Sequence, residues 1–311
     1  MGGTHARFLL AEFAAARLVV VDEASFSVAS YDSIETACEA FVARSPVVHV
    51  DRACLAVAGP VEGRRARLTN APWTIDADVF AARFSIGDVR LCNDFEAAAY
   101  AIDALDASAC IVLQAGQRDV TGPRVLIGAG TGLGVAYLLK EAGATRVVAG
   151  EGGHAGFAPA DAEQIELVRF LAPSLGRVTA EHVLSGPGLV RLYAFANRDR
   201  ASLPEDVRAE GAAAVAQRFA AAEPEAVHAV QLFASILSAV AGDHALAMLA
   251  TGGVYIAGGI APRFAGALRE RFVRAFAAEG PHAQLMARIP VTLVTEPRLG
   301  LIGAARRAAG A

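Results

Sequence analysis

Cysteine is scarce in this chain: Cys38, Cys54, Cys92 and Cys110 are the only four in 311 residues, and no two stand in a C-x-x-C spacing. That excludes a disulfide framework and a zinc cluster and leaves reduced, buried thiols as the expectation. Blocks of like charge are missing too. With a formal net charge of -4 and no run of Lys or Arg, the sequence has no electrostatic footprint for nucleic acid or for an anionic membrane, so small molecules are the expected partners. The N-terminus has neither the basic nor the apolar region of a signal peptide, and Ala6 stands where a myristoylation signal wants Ser or Thr. The apolar stretch from Ala245 to Pro262 is broken at Gly252-Gly253 and Gly258-Gly259, where a spanning helix needs unbroken main-chain bonding. A cytoplasmic protein without a membrane partner is therefore expected. There is no short solenoid repeat, no low-complexity linker and no G-x-x-x-x-G-K-S/T sequence, which excludes a Walker-type phosphate loop.

What is present is apolar residue, 54% of the chain, enough to fill two cores at this length. Strand and helix signals alternate. Arg7 to Leu10, Leu18 to Val21, Cys54 to Ala58 and Val89 to Cys92 read as strands, and Ser33 to Arg44 as a helix. A second β-rich half opens with Arg124 to Ile127 and Val135 to Leu139. Helices follow, one opening at Pro187 and a long one from Glu225 to Ala250, before a strand at Val254 to Ala257. A helix after Pro262, a strand at Val291 to Val294 and a helix from near Gly300 complete the chain. This rhythm predicts α/β lobes, each a mixed sheet flanked by helices, with ligands at the carboxyl ends of strands. The pattern places a small lobe at 1–104, joined by 295–311, and a large lobe at 105–294.

Three glycine-rich turns are the first functional signal: Gly2-Gly3-Thr4, the segment Gly128-Ala129-Gly130-Thr131-Gly132-Leu133-Gly134, and Gly258-Gly259-Ile260. Glycine tolerates positive φ and close approach, so consecutive N–H groups can face phosphate oxygens, and the Thr4 and Thr131 hydroxyls add donors. Each turn alone reads as well as a tight turn or bulge; three together favour a phosphate ligand. The middle one joins two strands instead of opening a helix, against a dinucleotide fingerprint. Polar residues in apolar surroundings are the second signal. Asn93-Asp94 ends a strand and precedes an apolar helix, where Asp94 can serve as a cap, as a ligand, or as both. Glu151-Gly152-Gly153-His154 offers an acid and an imidazole about a Gly-Gly pair, spaced to meet the hydroxyls of one ligand. The set is too sparse for a zinc site. On spacing alone, Glu181 reads as an exposed helical glutamate.

In chain order, GGTHAR at Gly2, LTNAPW at Leu68, NDFEA at Asn93, IGAGTGLGVA at Ile127, GEGGHAGFAP at Gly150, LSGPGLVRLY at Leu184, GGVYIAGGIAPR at Gly252 and LGLIGAA at Leu299 resemble the bacterial glucokinase family over nearly the whole chain. The resemblance implies a two-lobed, actin-like ATPase fold of the hexokinase and ribonuclease H-like type, a homodimer, and phosphorylation of glucose to glucose 6-phosphate by ATP with Mg²⁺. It further implies that Asn93, Asp94, Glu151, His154 and Glu181 hold sugar hydroxyls, with Asp94 as the general base. The nucleotide would fall on Gly2, Gly3, Thr4, Gly128, Gly130, Thr131, Gly132, Gly134, Gly258 and Gly259.

The chain departs from the family pattern at its start. A strand ending in Asp normally precedes the Gly-Gly-Thr turn, and here Met1 stands directly before Gly2. The expectation drawn from this is a native product beginning about ten residues upstream, a buried strand with its lead-in. The alternative function is a non-catalytic sugar-binding or regulatory protein on the same fold. No helix-turn-helix segment or basic recognition surface accompanies it. The related group with a cysteine-rich zinc motif after its Gly-His segment is disfavoured, since Gly156-Phe157-Ala158-Pro159 runs on without cysteine.

Overall fold

The structure, a computed structural model, describes every residue except 2–3, 15–16, 46–48, 69–72, 142, 200–201, 279 and 311. The chain opens with β1 (His5–Ala14), β2 (Arg17–Ser27), α1 (Ile34–Val42), β3 (Arg52–Val57) and the short strands β4 (Val61–Glu62), β5 (Arg65–Arg67) and β6 (Thr74–Asp76). Next come α2 (Ala77–Phe84), β7 (Asp88–Asn93), α3 (Asp94–Tyr100), β8 (Cys110–Gln114), β9 (Arg124–Ala129), β10 (Leu133–Glu141) and β11 (Ala144–Gly150). A helical stretch follows, with α4 (Ala162–Leu175), α5 (Ala180–Val183), α6 (Gly186–Ala196), α7 (Glu205–Glu210), α8 (Ala212–Ala220) and α9 (Pro224–Met248). The remainder holds β12 (Gly253–Ala257), α10 (Ala265–Phe276), α11 (Ala283–Met286), β13 (Val291–Val294) and α12 (Leu299–Ala309).

Two compact units result, one of Met1–Leu105, Glu141–Ala149 and Glu296–Ala311, the other of Asp106–Lys140 and Gly150–Thr295. The sequence reading gives 141–149 to the large lobe; the structure gives it to the first unit. Part of the reason is a hydrogen bond that periodicity does not reveal, from Thr145 Oγ1 to Asp103 Oδ2 at 2.6 Å.

In the first unit β1 and β2 form an antiparallel hairpin, β3 and β7 a parallel pair with Val57 opposite Asn93, and β4, β5 and β6 a small sheet of their own. The Met1 ammonium donates to Ala56 O at 2.6 Å, and Ala58 N donates to Met1 O at 2.9 Å, which sets Met1 along the end of β3. Ile34, Val57, Trp73, Ile75, Phe80 and Val89 fill the core, and Trp73 Nε1 donates to Tyr31 O. All four cysteines are free: Cys38 and Cys92 are buried as expected, whereas Cys54 and Cys110 are half-buried.

The helix that follows β7 is held by the last helix of the chain. On α12, Gly303 meets α3 so closely that a Cβ would stand 1.7 Å from Ala97 O, and Arg306 Nε donates to Tyr100 O at 3.0 Å.

The second unit is built on the strand order β10-β9-β12-β13-β8. β9 runs antiparallel to β10 and parallel to β12, β12 is parallel to β13, and β13 is antiparallel to β8. Every residue of β9 and of β12 is buried, Arg124 included, which is why β12 and the rest of β9 read as apolar runs without alternation. Helix α9 is long and apolar enough to cross a membrane, but it lies in this unit's core, with Phe233, Ile236 and Leu237 fully buried.

Replacing Gly303 by Ala overpacks the α12–α3 contact against main chain that cannot swing aside. We expect Gly303→Ala to destabilise the protein by about 1–3 kcal/mol, read as a lower midpoint in urea unfolding; an unchanged midpoint would remove the close contact from the account.

Candidate active site

Ala129 and Leu133 face each other across β9 and β10, so the turn between them is only Gly130-Thr131-Gly132. It is closed by Gly130 N donating to Gly132 O at 2.8 Å. Gly128 and Gly134, expected as part of a phosphate turn, instead stand inside the strands and pair with each other, and Gly128 also pairs with Ala257. The sheet ladder engages them. The segment able to offer main-chain donors is therefore shorter than the glycine pattern suggests.

The second glycine segment leans on the first. Gly258 has φ +93° and its Cβ position lies 2.2 Å from Ala129 O, so only glycine fits there, and Ile260 N donates to the same carbonyl at 3.3 Å. Gly186, the first residue of α6, donates its N–H to Gly130 O at 2.8 Å. Between these segments opens a cleft of about 550 Å³ with Gly130, Thr131 and Gly259 among its lining residues. Its walls are apolar, from Leu189 and Val190 of α6, Ala212 and Ala216 of α8, and Ile260 and Phe264. Arg263 is the only charged side chain in that lining. Apolar walls beside exposed peptide groups and one cation suit a molecule with a flat apolar part and an anionic part. The wall residues and Arg263 were missed from the sequence because they come from three separate segments with no common motif.

The segment after β11 lies on the same turn from another side. Glu151 Oε2 and His154 Nε2 are 3.8 Å apart and both side chains are largely exposed, as suits groups that meet a ligand. Gly153 packs against Leu133 O, while Leu133 N donates to Glu181 Oε2 at 2.9 Å. Glu181 is thus no plain surface glutamate: it is half-buried and bound to the residue that ends the glycine turn. The neighbouring His182 is occupied structurally, its Nδ1 accepting from Thr179 N at 3.1 Å, and burial holds the ring below the usual imidazole pKa.

In the first unit β7 delivers Asn93 and Asp94 to a strand end. The cap is Asn93, whose Oδ1 accepts from Phe95 N at 2.8 Å and Glu96 N at 3.3 Å. Asp94 is the first helical residue and is exposed to solvent. A carboxylate at a helix N-terminus is favoured by the dipole, and with Asn93 as the cap, the capping role that sequence alone offered Asp94 is already filled. Thr4 is exposed, and its carbonyl accepts from Val28 N at 3.0 Å. Gly2 and Gly3 lie outside the described residues.

Among the described residues no group of three His, Cys, Asp or Glu side chains could hold a metal ion.

A family model described as Glucokinase matches residues 1–311. The glucokinase of Nostoc sp. strain PCC 7120 is 34% identical over 99% of this chain and 97% of its own length. Among solved structures, a glucokinase from an Antarctic psychrotroph is 35% identical with a TM-score of 0.90, covering 100% of this chain and 97% of its own. A Streptomyces griseus ROK family glucokinase, solved with glucose and AMPPNP, shares the fold at 21% identity and a TM-score of 0.64, covering 100% of this chain and 98% of its own.

The bond from Leu133 to Glu181 can be tested without ligand. Glu181→Ala leaves that N–H without its carboxylate and should cost about 1 kcal/mol in thermal unfolding, and Glu181→Gln, which keeps an acceptor, should restore most of it. Equal stability of all three proteins would show that the bond contributes nothing.

Proposed function

Since the chain belongs to the glucokinase family, with its two-lobed actin-like ATPase fold, we propose that it transfers the γ-phosphoryl group of ATP to glucose, giving glucose 6-phosphate, with Asp94 as the general base. The match over the entire chain carries the activity. The choice of base is supported by an exposed carboxylate at the end of β7 whose neighbour Asn93 already caps the helix.

A sugar hydroxyl is a weak nucleophile near neutral pH. Asp94 accepts its proton as the bond to phosphorus forms. Asn93, Glu151, His154 and Glu181 are read as hydroxyl ligands that fix the ring; the Asn93 oxygen is engaged by the helix, so its amide donates. The apolar walls of the cleft take the base of the nucleotide, and the Gly130-Thr131-Gly132 turn with Gly258-Gly259 offers N–H groups to the phosphates. Thr4 and the glycines before it complete the nucleotide side in this reading. When bound, Mg²⁺ neutralises charge on the terminal phosphates. The chain has a single lysine, Lys140, and the cation lining the cleft is Arg263, which we assign to the phosphates. A homodimer working in the cytoplasm completes the reading, supported by family resemblance.

A coupled assay for ADP release with glucose, fructose, mannose and N-acetylglucosamine tests the activity. Turnover is expected with glucose; none with any of the four would favour a sugar-binding protein. Asp94→Asn should keep the fold and the affinity for glucose and lose about 10²–10⁴-fold in kcat, and near-full turnover would refute the base. Arg263→Ala should raise the KM for ATP roughly tenfold, as loss of a charge-assisted contact does, with the KM for glucose unmoved; an unchanged KM for ATP would take Arg263 out of the site.

A further inference from the structure

Gly152 and Gly153, beside Glu151, are explained by what they rest on. Leu133, Val135 and Tyr137 alternate along β10 and so share one face of the strand. The segment 150–153 is laid against that face. A Cβ at Gly150 would stand 3.6 Å from Tyr137 Cε2, one at Gly152 3.0 Å from Val135 Cβ, and one at Gly153 2.1 Å from Leu133 O. From the other side comes His244 of α9, whose Cε1 lies 2.8 Å from the Cβ position of Gly152. The tyrosine and the histidine are joined to each other: Tyr137 Oη and His244 Nδ1 are 2.9 Å apart, with ring centroids 6.1 Å apart and planes inclined at 56°.

We infer that Tyr137 and His244 are a positioning pair for glucose affinity, Tyr137 fixing the His244 ring against Gly152 so that Glu151 and His154 are held ready for the sugar, without either ring touching it. This rests on the reading of Glu151 and His154 as sugar ligands. Burial holds the His244 imidazole below its usual pKa, which favours the uncharged ring. A neutral ring lets the Tyr137 hydroxyl donate to Nδ1, with the ring proton on Nε2. The imidazole is then fixed both in place and in orientation, and the space beside Gly152 stays filled. Without that bond the ring can turn, Gly152 gains room, and binding must first order Glu151 and His154. The cost of ordering falls on affinity for the ligand they hold. Neither Tyr137 nor His244 is among the residues that line the apolar cleft, so the effect on ATP is expected to be small beside the effect on glucose.

Tyr137→Phe removes one oxygen, His244→Leu fills the ring's volume without an acceptor, and His244→Asn puts an amide oxygen near the position of Nδ1. Steady-state kinetics on these three, beside Glu151→Gln and the unaltered enzyme, separate the two substrates. Tyr137→Phe and His244→Leu should raise the KM for glucose about three- to tenfold, the range one neutral hydrogen bond supports, with the KM for ATP within about twofold. His244→Asn should recover most of the affinity. Three results overturn the pair alone, provided Glu151→Gln raises the glucose KM: an unchanged glucose KM in Tyr137→Phe, a parallel rise for ATP, or no recovery in His244→Asn. An unchanged glucose KM in Glu151→Gln overturns the reading of the loop itself, and the pair with it. Should His244→Leu fail to fold, Tyr137→Phe still decides, because it alters no packing volume.

Discussion

Five residues of main chain, Ala129 to Leu133, order the second unit. Ala129 O accepts from Ile260, Gly130 O from Gly186, Leu133 N donates to Glu181, and Leu133 O is covered by Gly153. Three segments that are far apart in sequence, about 153, 181–186 and 260, thereby meet one β-turn. At Gly132 a Cβ would stand 2.5 Å from Glu181 Oε2, so a side chain there would crowd the carboxylate that Leu133 N holds. The turn is itself rigid because β9, which leads into it, is buried at every residue and paired on both sides.

The parts that were legible in sequence are those in which the local signal and the tertiary outcome agree. β12 and, after Arg124, β9 are apolar runs between turn residues, and α9 is too long and too apolar to be anything but a core helix or a span. Gly258 follows a strand directly, where a glycine with positive φ is the ordinary way to turn the chain. Glu181 was not legible, because its partner Leu133 is 48 residues earlier and the bond leaves no spacing pattern. At Gly128 and Gly134 the limit has a related reason: composition marks a glycine-rich stretch, whereas strand pairing decides where in it the turn lies. The first unit's claim on 141–149 and the pairing of Tyr137 with His244 share that character, since each depends on contacts that only the folded chain makes.

The cleft shows how sparingly charge is used. Its walls are aliphatic and aromatic, and Arg263 is the one ionic side chain among them. A hydrophobic pocket discriminates weakly between ligands of similar outline, by 10–200-fold for about a methylene. In the proposed reading, the recognition of an anion then falls on peptide N–H groups and one guanidinium, and the polar side chains Glu151, His154 and Glu181 are left to the sugar. The two substrates are thus read by different chemistry, main chain for one and carboxylate for the other.

The bond from Arg306 to Tyr100 spans 206 residues, and with the Gly303 contact it fixes the helix that begins at Asp94. On a ribosome, the helix carrying that carboxylate is made early and the one that steadies it is made last. At about 5–20 residues per second the interval is roughly 10–40 s. During that time the nascent first unit has α1, α2 and α3 but not the helix that packs on α3, so its last contacts form long after its first.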